Sequence, residues 1–323
     1  MPTVAVTGAA GLIGQALLPR LAADTRVIGL DVREPLRRTR GVEVRLVDVA
    51  RSDLAPVLRG VDTLVHLASV VDPLPDEALM ARVNVHGTRR VLEAAAAVGV
   101  RKVVRVSGAT IYGAWATNPV PLREADVLRP NPGFSPAVQA AEAERLLLAW
   151  GAAHPGSVVT TLRTAPVLGP GAVRLPSRLV LGWPRVRVRG APPPVQAVHV
   201  DDLVAALELV VRADHPGTYN VAADGWLDAD GARAVIGRPV SPALPAEVLT
   251  RALRATWTLG VGEIPPGIVP YLAHPWVVAN DRLRALGWQP AHTNEAALAA
   301  GAAAWPGRGV AGTIRRGRGA RAR

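Results

Sequence analysis

The sequence contains no cysteine, one lysine and one phenylalanine in 323 residues. Without cysteine the chain has no disulfide, no thiolate metal ligand and no cysteine nucleophile. The seven histidines show no spacing typical of metal ligands, so we predict no metal site. These absences favour a cytoplasmic, metal-free protein.

Long apolar runs are missing as well. Spanning a bilayer takes roughly 20 uninterrupted apolar residues, and every apolar window here is broken by Arg, Asp, Gly or Pro. The first residues show no basic region followed by an apolar stretch and a cleavage site. We therefore expect neither a membrane span nor an export signal.

The positive charge is concentrated at one end of the sequence. The net charge is +11, but six arginines and no acid lie in residues 307–323, which leaves +5 for the other 306 residues. That remainder has no aromatic interleaving of the kind that stacks bases. We expect a disordered Arg- and Gly-rich tail over residues 307–323. A nucleic-acid partner acting through that tail is the least favoured of three functional hypotheses.

The first 165 residues alternate short apolar runs with Ala- and Leu-rich stretches of helical length. Continuous apolar runs are typical of strands buried on both faces of a parallel sheet. The alternation predicts an α/β fold, a doubly wound parallel (Rossmann-type) sheet with a smaller C-terminal cap. The predicted strands are residues 4–7, 27–31, 42–47, 63–67, 103–107 and 158–163, and the predicted helices are residues 12–23, 76–98 and 135–153.

A glycine-rich turn joins the first predicted strand to the first helix. Its sequence, GAAGLIG at residues 8–14, has the spacing GxxGxxG. Gly8 permits the tight turn, Gly11 lets backbone N–H groups approach a pyrophosphate, and Gly14 allows close contact between helix and sheet. Because the helix N-terminus adds partial positive charge, this turn predicts a dinucleotide site.

Asp31 ends the second predicted strand. A carboxylate there can accept hydrogen bonds from both hydroxyls of an adenosine ribose, and it would repel a 2′-phosphate. NAD is therefore favoured over NADP. Arg33, Arg37 and Arg38 leave the pairing of a phosphate open as the less favoured alternative.

The predicted dinucleotide site lies within the first 165 residues, and this position predicts the domain organisation. Residues 1–165 are predicted to form the NAD(P)-binding domain, and residues 166–306 mostly a substrate-binding cap with some segments returning to the sheet. In the second region, residues 185–189 alternate like a half-exposed strand, and residues 218–222 form a short strand. Residues 201–212 are predicted to form a helix opened by an acidic cap.

Seven segments resemble those of the extended short-chain dehydrogenases/reductases, in the same order and spacing. Over roughly residues 3–290, the sequence is similar to the NAD-dependent epimerase/dehydratase group. The segments are TGAAGLIG at 7–14, DV at 48–49, HLAS at 66–69, NVHGT at 84–88, SGATIYG at 107–113, LRTAPVLGPG at 162–171 and HVDD at 199–202.

The resemblance implies where the cofactor lies. Asp48 and Val49 would flank the adenine, and the segment at 67–69 would lie along the cofactor. Asn84 would sit in a central helix beneath the site, with an ordinary interhelical hydrogen bond as an equal alternative. The expected cofactor-binding residues are Gly8, Ala10, Gly11, Leu12, Ile13, Gly14, Asp31, Asp48, Val49, Leu67, Ala68, Ser69, Asn84 and Ser107.

The catalytic positions depart from the family pattern. Family members usually carry Tyr-x-x-x-Lys at the start of the helix after the fifth strand. There the tyrosine passes a proton, while the lysine lowers its pKa and holds the nicotinamide ribose. In this sequence Phe134 and Val138 occupy those two positions. Gly108 occupies the usual Ser/Thr position, and Pro166 replaces an expected Asn on the substrate side.

Two other basic residues cannot replace the missing lysine. Lys102, the only lysine, precedes the fifth predicted strand, and five residues of about 3.3 Å each hold it about 16 Å from the ligand-binding edge. Arg145 lies far along the helix that begins near Phe134, and its separation of 11 residues also corresponds to about 16 Å.

Thr110 and Tyr112 are the remaining candidates for acid–base work, and both are weak. Tyr112 would be a poor acid–base group at neutral pH because no cation is expected beside it. Packing is an equally good interpretation of both. Arg163 could bind an anionic substrate, although a buried structural donor is the commoner role. A triad of Ser107, His199 and an aspartate is rejected, because carboxylates just before an apolar helix form a cap. The expected substrate-binding residues are Thr110, Tyr112, Phe134, Arg163 and Pro166.

The sequence thus predicts an NAD(H)-binding, epimerase/dehydratase-like enzyme with an atypical active site. Its substrate would be a small metabolite, such as a nucleotide sugar or a polyketide-like compound. The alternative is a catalytically inactive NAD-binding regulatory or assembly protein, since losing a general acid–base group costs about 10²–10⁴ in rate. A homodimer is compatible with either hypothesis.

Overall fold

The computed structural model describes residues 2–172, 174–182, 186–237 and 241–305. Seven parallel strands form its central sheet, in the spatial order third, second, first, fourth, fifth, sixth, tenth. The strands along the chain are β1 (Thr3–Thr7), β2 (Arg26–Asp31), β3 (Val42–Leu46), β4 (Thr63–His66), β5 (Lys102–Gly108), β6 (Val158–Thr164), β7 (Val167–Leu168), β8 (Arg187–Val188), β9 (Val198–His199), β10 (Gly217–Val221) and β11 (Ala243–Leu244).

Helices cover both faces of this sheet. Apolar side chains of α1 and α7 pack against one face, and those of α2, α4 and α5 pack against the other. The helices are α1 (Leu12–Leu21), α2 (Ala55–Leu58), α3 (Glu77–Ala81), α4 (Thr88–Val98), α5 (Ser135–Ala153), α6 (Leu175–Val180), α7 (Val200–Arg212), α8 (Ala229–Ile236), α9 (Ala246–Thr258), α10 (Val269–Ala273), α11 (Asp281–Arg284) and α12 (Asn294–Ala304).

The sheet reverses its strand order at β1. β1 pairs with β2 on one side and with β4 on the other, so the chain winds outward in both directions from this strand. Ligands of doubly wound sheets bind at the carboxyl ends of the strands where the order reverses. Because the order reverses at β1, the glycine-rich turn that follows β1 lies at this crevice. The predicted fold class, a doubly wound parallel sheet, is confirmed.

Some segments of the second half of the chain join the central sheet, and the others form a smaller part of the molecule beside the crevice. β10 pairs with β6 as the last strand of the sheet, and α7 packs beside α1. Two short strand pairs, β7 with β9 and β8 with β11, and the helices α6, α8, α9, α10 and α12 build the smaller part. Their apolar side chains form separate clusters beyond the carboxyl edge.

The helix predicted over residues 76–98 is present as one uninterrupted helical segment over residues 77–98, but its middle turn is wider than an α-helical turn. α3 and α4 flank a π-helical turn, Arg82–Gly87, which contains Asn84. The Asn84 side chain accepts a hydrogen bond from Val70 N at 2.7 Å and donates one to Val70 O at 3.0 Å. The wider turn thus lets one side chain hold the loop that follows β4, and such turns are common at functional sites.

Two predictions involve residues outside the described ranges. The tail at 307–323 is one of them, and the other is Arg185 of the strand expected over residues 185–189. The described part of that strand is β8, which pairs with β11. Among the described residues, none of the helices has the length and apolar character needed to cross a membrane.

Candidate active site

The glycine-rich turn depends on the absence of side chains at two positions. Gly8 has a φ of +71°, and a Cβ there would lie 2.8 Å from Ala68 N. A Cβ on Gly14 would overlap Gly8 O and lie 2.8 Å from Ala9 Cα. The turn therefore fits tightly between the loop after β4 and the start of α1, as the GxxGxxG spacing predicts.

The N-terminus of α1 offers free backbone donors. Its N-cap is Gly11, no side chain caps it, and its first turn contains no acidic residue. The N–H groups of Leu12, Ile13 and Gly14 have no carbonyl partner within the helix. They suit a pyrophosphate, because these donors and the partial positive charge of the helix point toward the same site.

Asp31 lies at the end of β2 beside this turn. Its Oδ2 accepts a hydrogen bond from Ala10 N at 2.9 Å, and its Oδ1 accepts one from Arg33 N at 3.1 Å. The carboxylate is thus oriented by backbone donors, and each oxygen retains lone pairs for further hydrogen bonds. This geometry suits the hydroxyls of a ribose.

Of the remaining expected cofactor residues, some contact other parts of the protein and others line a cavity. Asp48 Oδ1 accepts from Ala50 N in its own turn, and Val49 is buried in the core beneath α4. Asn84 binds the loop after β4 and also donates to Gln139 Oε1 on α5, so it orients the site through that loop. A cavity of about 220 Å³, which we call the cofactor cavity, is lined by the expected residues Gly8, Gly11, Leu12, Ile13, Gly14, Leu67, Ser69 and Ser107.

Phe134 precedes α5 at the wall of the cofactor cavity. Its ring is buried and packs edge-on against Tyr271, with 5.2 Å between ring centroids. Val138, one turn further along, is partly exposed, and neither side chain carries a proton to exchange. The start of α5 therefore presents an apolar surface.

Gly108 is the last residue of β5, Thr110 follows it, and both lie at the same wall. A Cβ on Gly108 would lie 3.4 Å from Thr110 Oγ1, so the threonine hydroxyl lies beside the position where the resemblance implies a Ser or Thr. Tyr271 donates its hydroxyl proton to Thr110 O at 2.7 Å and fixes this segment. Of the two candidate acid–base residues, Thr110 lines the cofactor cavity.

Tyr112 and Arg163 are corrected by the structure, and Arg163 is the cation that the sequence did not predict beside Tyr112. Tyr112 is fully buried, donates to Asn220 Oδ1 at 2.8 Å and accepts from Arg163 Nη1 at 2.7 Å. Arg163 Nε in turn donates to Glu144 Oε1 at 3.0 Å. Burial raises the pKa of Tyr112 to about 12. Their hydrogen bonds are made within the protein core, so neither residue is retained as a catalytic or substrate-binding candidate.

Comparison with known proteins agrees with this geometry. Residues 4–222 match the NAD dependent epimerase/dehydratase family. The chain belongs to that family. Among curated relatives, an uncharacterized protein of Mycobacterium tuberculosis is 32% identical over 307 residues, covering 90% of this chain and 80% of the relative. The 3-diazoavenalumate denitrifying reductase of a Streptomyces species is 31% identical over 320 residues, covering 90% and 96%.

A solved structure supports the same assignment. The complex of MoeE5 with UDP-glucuronic acid and NAD is 25% identical and superimposes with a TM-score of 0.72, covering 93% of this chain and 98% of that one. The cofactor that the glycine-rich turn and Asp31 predict is the one named in the description of the family. The prediction of NAD as the cofactor is thereby confirmed.

Lys102 lies far from the catalytic positions of this family member. It is the first residue of β5, at the end opposite Gly108, and its Nζ donates to Val211 O at 3.0 Å and approaches Asp214 Oδ1 at 3.2 Å. Arg145 pairs with Glu142 on the exposed side of α5. As expected from spacing, neither residue replaces the lysine of the family.

Arg105 is a cation that sequence reasoning missed. It lies within β5, is 5% exposed and lines the cofactor cavity. Its Nη1 has no hydrogen-bond partner among the described residues, and neither has the buried Oγ of Ser107. Burial lowers the pKa of Arg105 to about 10, so it stays charged at neutral pH. An arginine inside an otherwise apolar strand is the sequence signal that points to it.

A second cavity of about 670 Å³ adjoins the first, and we call it the cap cavity. Both cavities are lined by Ala165, Pro166 and Trp276. The other walls of the cap cavity are mostly apolar and come from the second half of the chain. They include Leu179, Val180, Pro192, Pro193, Pro194, Val195, Tyr271 and Leu272.

The HVDD segment differs in detail from its predicted role. The N-cap of α7 is His199, whose Nδ1 accepts from Asp201 N at 3.3 Å, so the acids lie inside the first turn. Asp202 accepts from Ala291 N and from His292 N, which fixes a distant segment. The histidine spacing predicted no metal site, yet folding brings ligand atoms of His199, Asp201 and His292 within 4.8 Å of one another.

Proposed function

We propose that this family member is an NAD(H)-dependent oxidoreductase acting on a small metabolite held in the cap cavity. When bound, NAD supplies a nicotinamide that accepts or donates hydride. The turn at Gly8–Gly14 and Asp31 would bind the cofactor. Pro166 would contact the substrate from the wall that the two cavities share, and Thr110 and Phe134 would contact its reacting end where it enters the cofactor cavity. The observation that carries the proposal is the wall at Ala165, Pro166 and Trp276, which the cofactor and cap cavities share.

The proton is handled differently from the family pattern. Phe134 and Val138 provide no acid–base group, and Tyr112 is held by Arg163 and Asn220. We therefore propose that α5 shields the hydride from water, while the proton is exchanged with solvent or with the substrate itself. Thr110 would donate a hydrogen bond to the polar atom that gains electrons.

The substrate that best suits the cap cavity has an apolar body. The described residues that line it include two cations and two acids, Arg187, Arg233, Asp228 and Asp230, and Arg233 Nη1 is paired with Asp230 Oδ1 at 2.7 Å. This balance gives little attraction for the two negative charges of a diphosphate. A polyketide-like or aromatic metabolite is therefore favoured over a nucleotide sugar. The name of the Streptomyces relative, a reductase of 3-diazoavenalumate, supports the redox class.

Transfer of deuterium tests this proposal directly. Full-length protein is incubated with NADH that carries deuterium at both C4 positions of the nicotinamide and with two panels of carbonyl substrates. One panel contains aromatic and polyketide-like compounds, and the other contains UDP- and dTDP-linked keto-sugars. Mass spectrometry should detect deuterium in products of the first panel. Deuterium only in sugar products would contradict the substrate class. Turnover without any transfer would contradict the redox mechanism.

A catalytically inactive NAD-binding regulator or assembly protein is the second candidate. It is favoured by the apolar pair Phe134 and Val138, which replaces both acid–base positions. Saturable NAD binding without turnover in either panel would support it. The Phe134→Tyr, Val138→Lys double variant is informative here, because a gain of hydride transfer would mean that the rest of the pocket still orients a substrate.

A further inference from the structure

Arg105 carries a buried charge, and the described residues do not supply hydrogen-bond acceptors for all of its N–H groups. A buried guanidinium normally directs its N–H groups to a carboxylate or to several carbonyls, because desolvation of the charge is otherwise costly. Arg105 is 5% exposed, yet its Nη1 has no partner among the described residues. The acid that interacts with it over distance, Glu144, is already hydrogen-bonded by Arg163. A donor remains for something that is not part of the chain.

The neighbours of Arg105 do not supply the missing acceptor. In the sheet it lies between His66 on β4 and Thr161 on β6. Both ring nitrogens of His66 are engaged, by Thr7 Oγ1 at 2.8 Å and by Thr88 Oγ1 at 3.0 Å. Thr161 Oγ1 is itself buried without a partner. The orientation of the guanidinium is therefore not explained by packing within the sheet.

The position of Arg105 defines which half of a dinucleotide it can reach. Asp31 ends β2, the glycine-rich turn follows β1, and Arg105 lies in β5 on the far side of β4. Three strand spacings of about 4.8 Å place β5 about 14 Å across the sheet from β2. A dinucleotide bridges the two halves of such a sheet. With the adenosine ribose at Asp31, the nicotinamide half therefore lies over β4 and β5.

We propose that Arg105 is a cofactor-binding residue whose guanidinium donates hydrogen bonds to the hydroxyls of the nicotinamide-side ribose. It would supply from β5 the positive charge that Val138 cannot supply from α5. Ser107 Oγ, two residues further along the same strand and also unpartnered, would complete the polar floor of this subsite. The inference rests on the proposed function only in taking NAD as the ligand, and it holds whether or not the protein turns a substrate over.

The affinities of three ligands distinguish binding at this subsite from binding at the rest of the cofactor site, because each ligand contains one more group than the previous one. ADP lacks the second ribose, ADP-ribose contains it, and NAD adds the nicotinamide. Calorimetry on full-length Arg105→Met should show NAD and ADP-ribose bound about 10-fold or more weakly than by the wild type, since a hydrogen bond to a charged group is lost. The affinity for ADP should change by less than about 2-fold.

Two further variants keep the test interpretable. Arg105→Lys retains a charge and should bind NAD with an affinity between those of wild type and Arg105→Met. Arg145→Met removes an exposed arginine from α5 and should bind all three ligands as the wild type does. Unchanged affinity for NAD in Arg105→Met, or an equal loss for ADP and NAD, would overturn the assignment. If Arg105→Met does not fold, wild-type affinities in Arg105→Lys for all three ligands would overturn it as well.

The stability of the ligand-free protein gives an independent readout. A residue held for a ligand costs stability when the ligand is absent, because its charge is buried without full compensation. The ligand-free Arg105→Met variant should therefore melt at the same temperature as the wild type or higher. A lower melting temperature together with wild-type NAD affinity would mean that Arg105 serves the fold alone.

Discussion

At the scale of single residues, Asp31 should decide which dinucleotide binds. Its two oxygens are fixed by Ala10 N and Arg33 N. Asp31→Asn removes the charge and part of the acceptor capacity, so NADH affinity should fall by about 10-fold or more, and discrimination against NADPH should shrink. Fluorescence titration of both reduced cofactors measures this. Asp230→Asn, an exposed acid on α8, is the control, and an unchanged NADH to NADPH ratio in Asp31→Asn would contradict the assignment.

Arg163 should behave as a structural residue. Glu144 is fully buried beside it, and Tyr112 and Glu124 O also accept from Arg163. Arg163→Met should lower the free energy of unfolding by about 3–5 kcal/mol, because it leaves a buried carboxylate unpaired. Urea denaturation measures the loss, and Arg145→Met, which breaks only the exposed pair with Glu142, should cost less than about 1 kcal/mol. Similar losses in both variants would contradict this role.

His66 should make stability depend on pH. Burial, together with the nearby charge of Arg105, lowers its pKa from 6.5 to about 3. Between those two values the unfolded chain binds a proton that the native protein does not. Stability is therefore full above about pH 6.5 and falls with decreasing pH, by up to about 1.4 kcal/mol per pH unit. Urea denaturation from about pH 7 to about pH 5 should show a shallower slope for His66→Gln, and parallel slopes would contradict the account.

Residues whose function comes from local backbone geometry could be predicted from the sequence. Gly8, Gly14 and Asp31 lie where the strand–turn–helix pattern predicts. Every doubly wound sheet of this kind has the same geometry at the turn after its first strand and at the end of its second strand. Tyr112 and Arg163 could not be assigned, because their contacts form only in the folded protein: Asn220 is 108 residues from Tyr112, and Glu144 lies on α5, the helix before the strand of Arg163. Arg105 is not identified by the strand pattern, because that pattern indicates only a buried, mostly apolar strand and not which ligand a polar residue within it contacts.

At the scale of elements, the junction between β1 and α1 should tolerate no side chain at Gly14. A Cβ there would overlap Gly8 O and approach Ala9 Cα at 2.8 Å. Gly14→Ala should cost about 1–3 kcal/mol of unfolding free energy through overpacking, and it should weaken NAD binding by displacing the turn. Thermal melts with and without NAD measure both effects.

Gly156→Ala is the matched control for Gly14→Ala. A Cβ at Gly156 meets nothing within 4 Å, so the free energy of unfolding should change by less than about 0.5 kcal/mol. NAD binding should be unchanged in this variant. Equal behaviour of the two alanine variants would mean that the close approach at Gly14 is not what shapes the site.

Comparing predicted with observed helices shows where the local sequence is sufficient to predict a helix. α5 begins and ends as predicted over residues 135–153, because Pro136 suits the first turn and the rest of the segment is rich in Ala and Leu, which favour helix. The helix predicted over residues 76–98 is also present, over residues 77–98, but α3 and α4 are joined by a π-helical turn that the sequence does not predict. The cause is tertiary, since Asn84 in that turn binds both the loop at Val70 and Gln139 on α5. No periodicity in the local sequence encodes those contacts.

At the scale of the whole molecule, the two cavities give the protein its functional organisation. The cofactor cavity is built mainly at the carboxyl edge of the sheet, and the cap cavity mainly by the second half of the chain. The strand and glycine patterns predicted the first of these. The shape of the second could not be predicted, because its walls come from several short segments that are far apart in the sequence, among them Pro192–Pro194 and the segment of Tyr271 and Trp276.

Isothermal titration of the full-length protein with NAD shows whether the glycine-rich turn and Asp31 form a dinucleotide site. We expect one site per chain, a measurable heat of binding, and weaker binding of NADP because Asp31 repels a 2′-phosphate. At 100 times the dissociation constant, NAD should raise the free energy of unfolding by about 2.7 kcal/mol. If neither dinucleotide gives heat or protects the protein against melting, the turn and Asp31 do not form such a site.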